Sequence, residues 1–147
     1  MVTSEKNCTF KGIYYQDENM KTIYSYIPEI MRVDVTYKLN EMRMSVFLQM
    51  VIDGNGESEI VAVFIVVLED AETISKMVEI FKSHNPNWSQ TKTIVTDKDL
   101  VERAVYSEQF PDAMLHLCIF HVLRSMRREI NVEKWEFVLI RRIIAWR

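Results

Sequence analysis

Two apolar, β-branched runs joined by a glycine-containing turn constrain the fold of this chain more than any other feature. The runs span residues 45–52 (SVFLQMVI) and 58–68 (SEIVAVFIVVL), and the turn between them contains DGNG at 53–56. Aspartate, asparagine and glycine tolerate the positive φ that a hairpin turn requires. The sequence therefore predicts a β-hairpin. A calcium-binding EF-hand loop does not fit, because its glycine and glutamate positions hold Ser58 and Phe64.

The segments around the hairpin predict alternating strands and helices. Residues 10–17 are a strand or an extended lead-in, 18–30 a short helix ending near Pro28, and 31–38 a strand. A helix at 71–85, a strand at 91–99, a helix at 99–110, a strand at 113–121 and a basic helix from 122 follow. The helix at 71–85 carries an apolar stripe that we expect to face the core: Ile74, Met77, Val78 and Phe81. The core order β-β-β-α-β-α-β-α favours an α/β fold with an RNase H-like mixed sheet and flanking helices, although other mixed folds share this periodicity.

Length, charge and cysteine content limit the class of protein. The 147 residues, 48% of them hydrophobic, are enough for one domain core. The net charge is -3, but residues 118–147 carry seven basic and three acidic side chains (+4), which leaves -7 on residues 1–117. Two cysteines cannot form a disulfide framework. No signal peptide is visible, and the apolar run at 60–68 is too short to span a membrane, so an intracellular protein is expected.

Asp34 and Asp97 are the candidate catalytic carboxylates. Asp34 lies within the strand at 31–38 and Asp97 at the end of the strand at 91–99, and these strands are neighbours in an RNase H-like sheet. Paired carboxylates can hold Mg2+ or Mn2+ for phosphodiester chemistry. The plainer alternatives are an exposed strand residue for Asp34 and a helix N-cap for Asp97. Asp99 is better placed as the cap, which favours Asp97 as the candidate ligand.

A C-x-x-H pair, Cys118 and His121, falls where a strand passes into a helix. A closed zinc site would need about four such ligands, and the remaining candidates, Cys8, His84 and His116, lack metal-binding spacing. Cys-His nucleophilic catalysis would need an activated thiolate, which nothing in the sequence indicates. A buried cysteine with a nearby structural histidine is the plainer interpretation.

Five stretches taken together resemble one family. They are VDVTYKLN (33–40), FKSHNPNWSQTK (81–92), VTDKDLVERAV (95–105), FPDAMLHLCIFH (110–121) and LRSMRREI (123–130). In order and spacing they are similar to the transposase-like domain of animal SWIM zinc finger proteins of types 1 and 3, which is itself similar to the Mutator-like element (MULE) transposases. The resemblance covers residues 10–130.

The resemblance implies an RNase H-like DDE domain with Asp34 and Asp97 as its first two catalytic, metal-binding aspartates. Cys118 and His121 match the family's C-x-x-H, which lies near the active site without being one of its three acids. The third acid of such transposases follows a helical insertion, and that position and the SWIM zinc motif are missing from this sequence, which ends at Arg147. We therefore expect a core at 31–130 that is incomplete at its C-terminus, a lead-in at 1–30 and a divergent tail at 131–147.

Two functions follow from this interpretation. The first is a domain whose ancestral activity is metal-dependent DNA cleavage or strand transfer, and which is expected to be inactive or incomplete here because the third acid is missing. The second is a non-catalytic DNA- or protein-binding module that keeps the fold, for which the basic C-terminal stretch could meet phosphates. A nuclear location is expected. The apolar tail at 131–147 also predicts self-association, since its aromatic and aliphatic side chains have no evident partner.

Overall fold

A computed structural model describes residues 2–3, 10–36, 44–97 and 99–129. These residues include seven strands, which form one mixed sheet with the order β1-β2-β5-β4-β3-β6-β7. The strands are β1 (Val2–Thr3), β2 (Phe10–Tyr15), β3 (Ile30–Thr36), β4 (Ser45–Ile52), β5 (Ser58–Val66), β6 (Thr93–Thr96) and β7 (Met114–Leu117). The helices are α1 (Glu18–Tyr26), α2 (Ala71–His84), α3 (Leu100–Gln109) and α4 (Ile119–Glu129), with a short 3-10 helix at Trp88–Gln90.

The predicted hairpin is confirmed as β4 and β5. The two strands pair antiparallel from Ser45 opposite Val66 to Ile52 opposite Ser58. In the turn, Asp53 accepts hydrogen bonds from the backbone of Asn55 and Glu57 through its carboxylate. Gly56 has a φ of 84°, which a residue with a side chain rarely adopts. Local turn chemistry therefore sets the register of the longest strand pair.

The hydrophobic core lies between one face of the sheet and the helices. On β3 the buried residues alternate, with Met31, Val33 and Val35 inside and the intervening residues half-buried on the opposite face. The expected stripe of α2 is confirmed as a core face, because its four apolar residues are all buried. From α1, Tyr24 packs edge-on against Phe81 of α2.

The core order β3-β4-β5-α2-β6-α3-β7-α4 confirms the predicted RNase H-like arrangement. Several predicted boundaries differ, and two of these differences affect the site. The strands β6 and β7 are shorter than predicted, and the last helix begins at Ile119 and not at residue 122. The reason for the second difference is that the Cys118 carbonyl already accepts the first helical hydrogen bond, from the amide of Val122.

The N-terminal lead-in contributes to the same sheet, because β2 pairs antiparallel with β5. The tail at 131–147 lies outside the described residues. Within the described part of the chain, no helix has the length and apolar content needed to cross a membrane.

Candidate active site

Parallel pairing of β3 with β6 brings Asp34 and Asp97 to the same end of the sheet. The register runs from Ile30 opposite Thr93 to Arg32 opposite Val95. Two residues beyond Arg32 and Val95, the same alignment places Asp34 beside Asp97. The backbone topology therefore confirms the prediction that these two segments are neighbours in the sheet.

The C-x-x-H segment reaches the same place through β7. This strand lies parallel to β6, with Leu117 opposite Thr96. The amide of Cys118 then donates a hydrogen bond of 2.8 Å to the carbonyl of Thr96, which fixes the start of α4 beside Asp97. Cys118 is buried and forms no disulfide bond within the described part of the chain. One helical turn later, His121 points back towards the two aspartates.

His121 lies between the two carboxylates. Its Nε2 is 3.6 Å from Oδ1 of Asp34, and its Nδ1 is 3.9 Å from Oδ1 of Asp97. All three side chains are largely but not fully buried, with 18% of His121, 28% of Asp34 and 21% of Asp97 exposed. These distances allow electrostatic attraction when the imidazole is protonated, but they exceed those of well-formed hydrogen bonds.

A guanidinium group also lies at the site, because Nη2 of Arg32 is 3.9 Å from Oδ1 of Asp34. Sequence reasoning did not select this residue. The signal was available, since Arg32 and Asp34 are two positions apart on one strand and so share a face of the sheet.

The sequence predicts Asp99 as a helix N-cap and Asp97 as a metal ligand, and the structure confirms the first of these roles. Asp99 is the N-cap of α3, where its carboxylate accepts hydrogen bonds from the amides of Val101 and Glu102. Asp97 is thus not needed as the cap, and it faces His121 instead. Its role as a metal ligand stays a prediction.

Glu102 is a buried acid that sequence reasoning missed. It is 2% exposed, and within the described residues its Oε1 has no hydrogen-bond partner. Burial, followed by the negative charges of Asp97, Asp99, Glu69 and Asp34, raises its pKa from 4.5 to about 8. In the sequence, Asp99-x-x-Glu102 matches the pattern of a helix capping box, in which the glutamate is exposed at the helix start. This local pattern gives no indication that Glu102 is buried.

The donor set at this site suits a hard divalent cation in its chemistry. Asp34 and Asp97 supply carboxylate oxygens, which Mg2+ and Mn2+ prefer. The described residues hold no group of three or more Asp, Glu, His or Cys side chains arranged to bind a metal ion. The two aspartates thus provide part of a ligand set. Cys118, the other member of the C-x-x-H pair, is buried.

A comparison with protein families agrees with the fold and includes both aspartates. The model of the family described as "Zinc finger SWIM domain-containing protein 1/3, RNaseH-like domain" matches residues 1–116. The matched region contains β1 to β6, α1 to α3 and the first part of β7, and it ends shortly before Cys118. On the strength of this match and of the sheet topology, the chain belongs to the RNase H-like domain family of zinc finger SWIM domain-containing proteins 1 and 3.

Proposed function

We propose that the chain is a transposase-derived RNase H-like domain of the MULE and DDE type, in which Asp34 and Asp97 are the metal-binding carboxylates. The observation that carries this proposal is their convergence on His121 at the ends of two neighbouring parallel strands. Membership of an RNase H-like family supports it, because such domains often depend on a divalent metal. DNA is then the substrate class, and a nuclear location follows from that substrate.

The residues of the site have separate parts in this proposal. A bound Mg2+ or Mn2+ would stabilise negative charge on the oxygens of a scissile phosphodiester. Asp34 and Asp97 would hold the cation and fix its position relative to the sheet. Arg32 offers a positive charge on the same face as Asp34. The Nδ1 of His121 is buried and has no hydrogen-bond partner among the described residues, so it is available to hold a proton beside Asp97.

We further propose that strand cleavage is lost or incomplete in this chain. The support is the ligand count, since the described residues provide two aspartates and no third acid grouped with them for metal binding. Repulsion between two carboxylates favours cation binding, but two ligands give weak affinity and an open coordination shell. Weak Mn2+ binding without efficient cleavage is the expected behaviour.

Isothermal titration of the full chain with Mn2+ tests this proposal, alongside nicking of supercoiled plasmid in the same buffer. Asp34→Asn and Asp97→Asn should each remove the binding isotherm, whereas Asp112→Asn, a change at an exposed loop position, should not. Binding that survives both site substitutions would exclude the aspartates as ligands. Nicking that disappears only in the site variants would show an active enzyme and overturn the proposed loss of activity.

The alternative function is a non-catalytic module that binds DNA or protein. The specific observation in its favour is α4, whose outer surface combines Arg124, Arg127 and Arg128 with exposed apolar side chains. A module of this kind would bind its partner in EDTA, and Asp34→Asn would leave that binding unchanged. Binding that requires both Mn2+ and the aspartates would argue against the alternative.

A further inference from the structure

The outward surface of α4 forms a small groove of mixed chemistry. An open pocket of about 260 Å³ is lined by Phe120, Leu123, Arg124 and Arg127. These positions follow the i, i+3, i+4, i+7 spacing of one helix face. The Phe120 side chain is 59% exposed and that of Leu123 is 48% exposed. The groove thus presents an aromatic and aliphatic floor next to two guanidinium groups.

The charge of the groove differs in sign from that of the rest of the chain. Within the part of the chain that the structure describes, neither Arg124 nor Arg127 forms a salt bridge with an acidic side chain. The preceding 117 residues carry eleven basic and eighteen acidic side chains, a net of -7. A polyanion is therefore attracted to α4 and repelled by most of the remaining surface.

The groove is also continuous with the candidate active site. The Phe120 ring contacts the His121 ring edge-on, with 5.5 Å between their centroids. His121 in turn lies 3.6 Å from Asp34. A ligand that stacks on Phe120 is one side chain away from the carboxylates.

We infer that the α4 groove binds a single strand of nucleic acid, with bases against Phe120 and Leu123 and phosphates on Arg124 and Arg127. Base stacking on aromatic rings combined with arginine contacts to the backbone is how proteins hold single strands without sequence preference. The inference rests on the proposed function for its second half, namely that the groove leads the strand towards Asp34 and Asp97. The groove itself needs no metal, because its arginines already carry the required charge.

Fluorescence anisotropy of the full chain with a fluorescein-labelled oligo-dT 20-mer in EDTA tests the groove alone. Phe120→Ala should weaken binding by about tenfold, the effect of losing one stacked base. Arg124→Ala combined with Arg127→Ala should weaken it at least as much. It should also reduce the slope of log K against log salt by about 1.4, from two lost phosphate contacts of about 0.7 each.

The matched control is Lys76→Ala combined with Lys92→Ala, which removes two exposed cations outside α4 and should leave affinity and slope nearly unchanged. Equal losses in the control and in the arginine variant would overturn the groove as the binding site. Oligo-dT affinity that stays the same in all of the α4 variants would also overturn the groove as the binding site. Circular dichroism melting establishes that each variant is folded.

Adding Mn2+ separates this inference from the proposed function. Neutralising Asp34 and Asp97 should let the strand extend past His121, so Mn2+ should tighten oligo-dT binding in the wild type but not in Asp34→Asn. Groove-dependent binding in EDTA without this Mn2+ effect would support the groove and count against the metal site. If the α4 variants do not change oligo-dT affinity but Mn2+ still binds through Asp34 and Asp97, the metal site is supported and the groove is not.

Discussion

The Nε2 atom of His121 lies 3.6 Å from Oδ1 of Asp34, and this relationship joins α4 to the central strand β3. The junction depends on a backbone contact elsewhere, the hydrogen bond from Cys118 to Thr96 that sets where α4 begins. The C-x-x-H spacing then has a simple geometric meaning. Cysteine closes the strand ladder, and histidine is presented to the aspartates one turn later.

The pairing of His121 with Asp34 should be measurable as a small coupling free energy. In a double-mutant cycle of His121→Ala and Asp34→Asn, we expect a coupling of about 0.2–1 kcal/mol, the range for partly exposed ion pairs. Adding 1 M NaCl should reduce it by screening. Urea unfolding at both salt concentrations provides the measurement. A coupling that does not respond to salt would show that the two side chains interact by packing and not by charge.

The buried Glu102 should make stability fall as the pH rises. Burial, together with the nearby negative charges, raises its pKa from 4.5 to about 8, so between these values the folded chain keeps a proton that the unfolded chain releases. The contribution of protonated Glu102 to the free energy of unfolding is therefore complete below about pH 4.5 and is lost as the pH approaches 8. Glu102→Gln should raise the free energy of unfolding by about 2–4 kcal/mol near pH 8, at about 1.4 kcal/mol per pKa unit, and by little near pH 4.5.

The control for this change is Glu108→Gln on the exposed side of the same helix, which should leave the pH profile of stability as it is. The measurement is the thermal unfolding midpoint of the wild type, Glu102→Gln and Glu108→Gln between pH 4.5 and 8.5. Parallel profiles for wild type and Glu102→Gln would mean that the glutamate is ionised in the folded chain.

Local chemistry explains which parts of this fold could be predicted from the sequence. The DGNG turn and the α2 stripe each depend on residues close in sequence, and both were predicted correctly. The neighbourhood of Asp34 and Asp97 followed from the order of strands and helices. The start of α4 and the burial of Glu102 depend on contacts between distant segments, such as Cys118 with Thr96, and no periodicity encodes them.

Lys82 should stabilise the junction between α2 and the end of α3. Its Nζ lies 3.9 Å from the centroid of the Trp88 ring and 4.9 Å from that of Phe110, and it donates hydrogen bonds to the backbone carbonyl and side chain of Gln109. Desolvation lowers the pKa of this lysine, and partial desolvation strengthens a cation–π contact. Lys82→Met keeps most of the apolar stem and should cost about 1–2 kcal/mol.

Lys76→Met on the same helix is the matched control, because its only described ion pair, with Glu79, is exposed. It should change stability by less than about 0.5 kcal/mol. Equal effects of the two substitutions in guanidinium unfolding would show that the aromatic contacts of Lys82 add nothing.

Gly12 offers a test of whether the N-terminal lead-in is an integral part of the domain. It lies on β2 opposite Val66 of β5, and a Cβ atom at this position would be 2.5 Å from the carbonyl oxygen of Ile65. Because the clash is with backbone, either β2 or β5 must move. Gly12→Ala should therefore destabilise the fold by about 1–3 kcal/mol, as overpacked positions do.

Gly54 is the natural comparison, since a Cβ added there would meet nothing within 4 Å. Gly54→Ala should stay within about 0.5 kcal/mol of wild type. If β2 folds together with the core strands, Gly12→Ala will lower the midpoint of the single unfolding transition seen by circular dichroism. If the lead-in unfolds separately, the main transition will keep its midpoint and a small early transition will shift instead. The second result would place the start of the cooperative core near residue 31, as the sequence predicts, and would make β2 an accessory edge of the sheet.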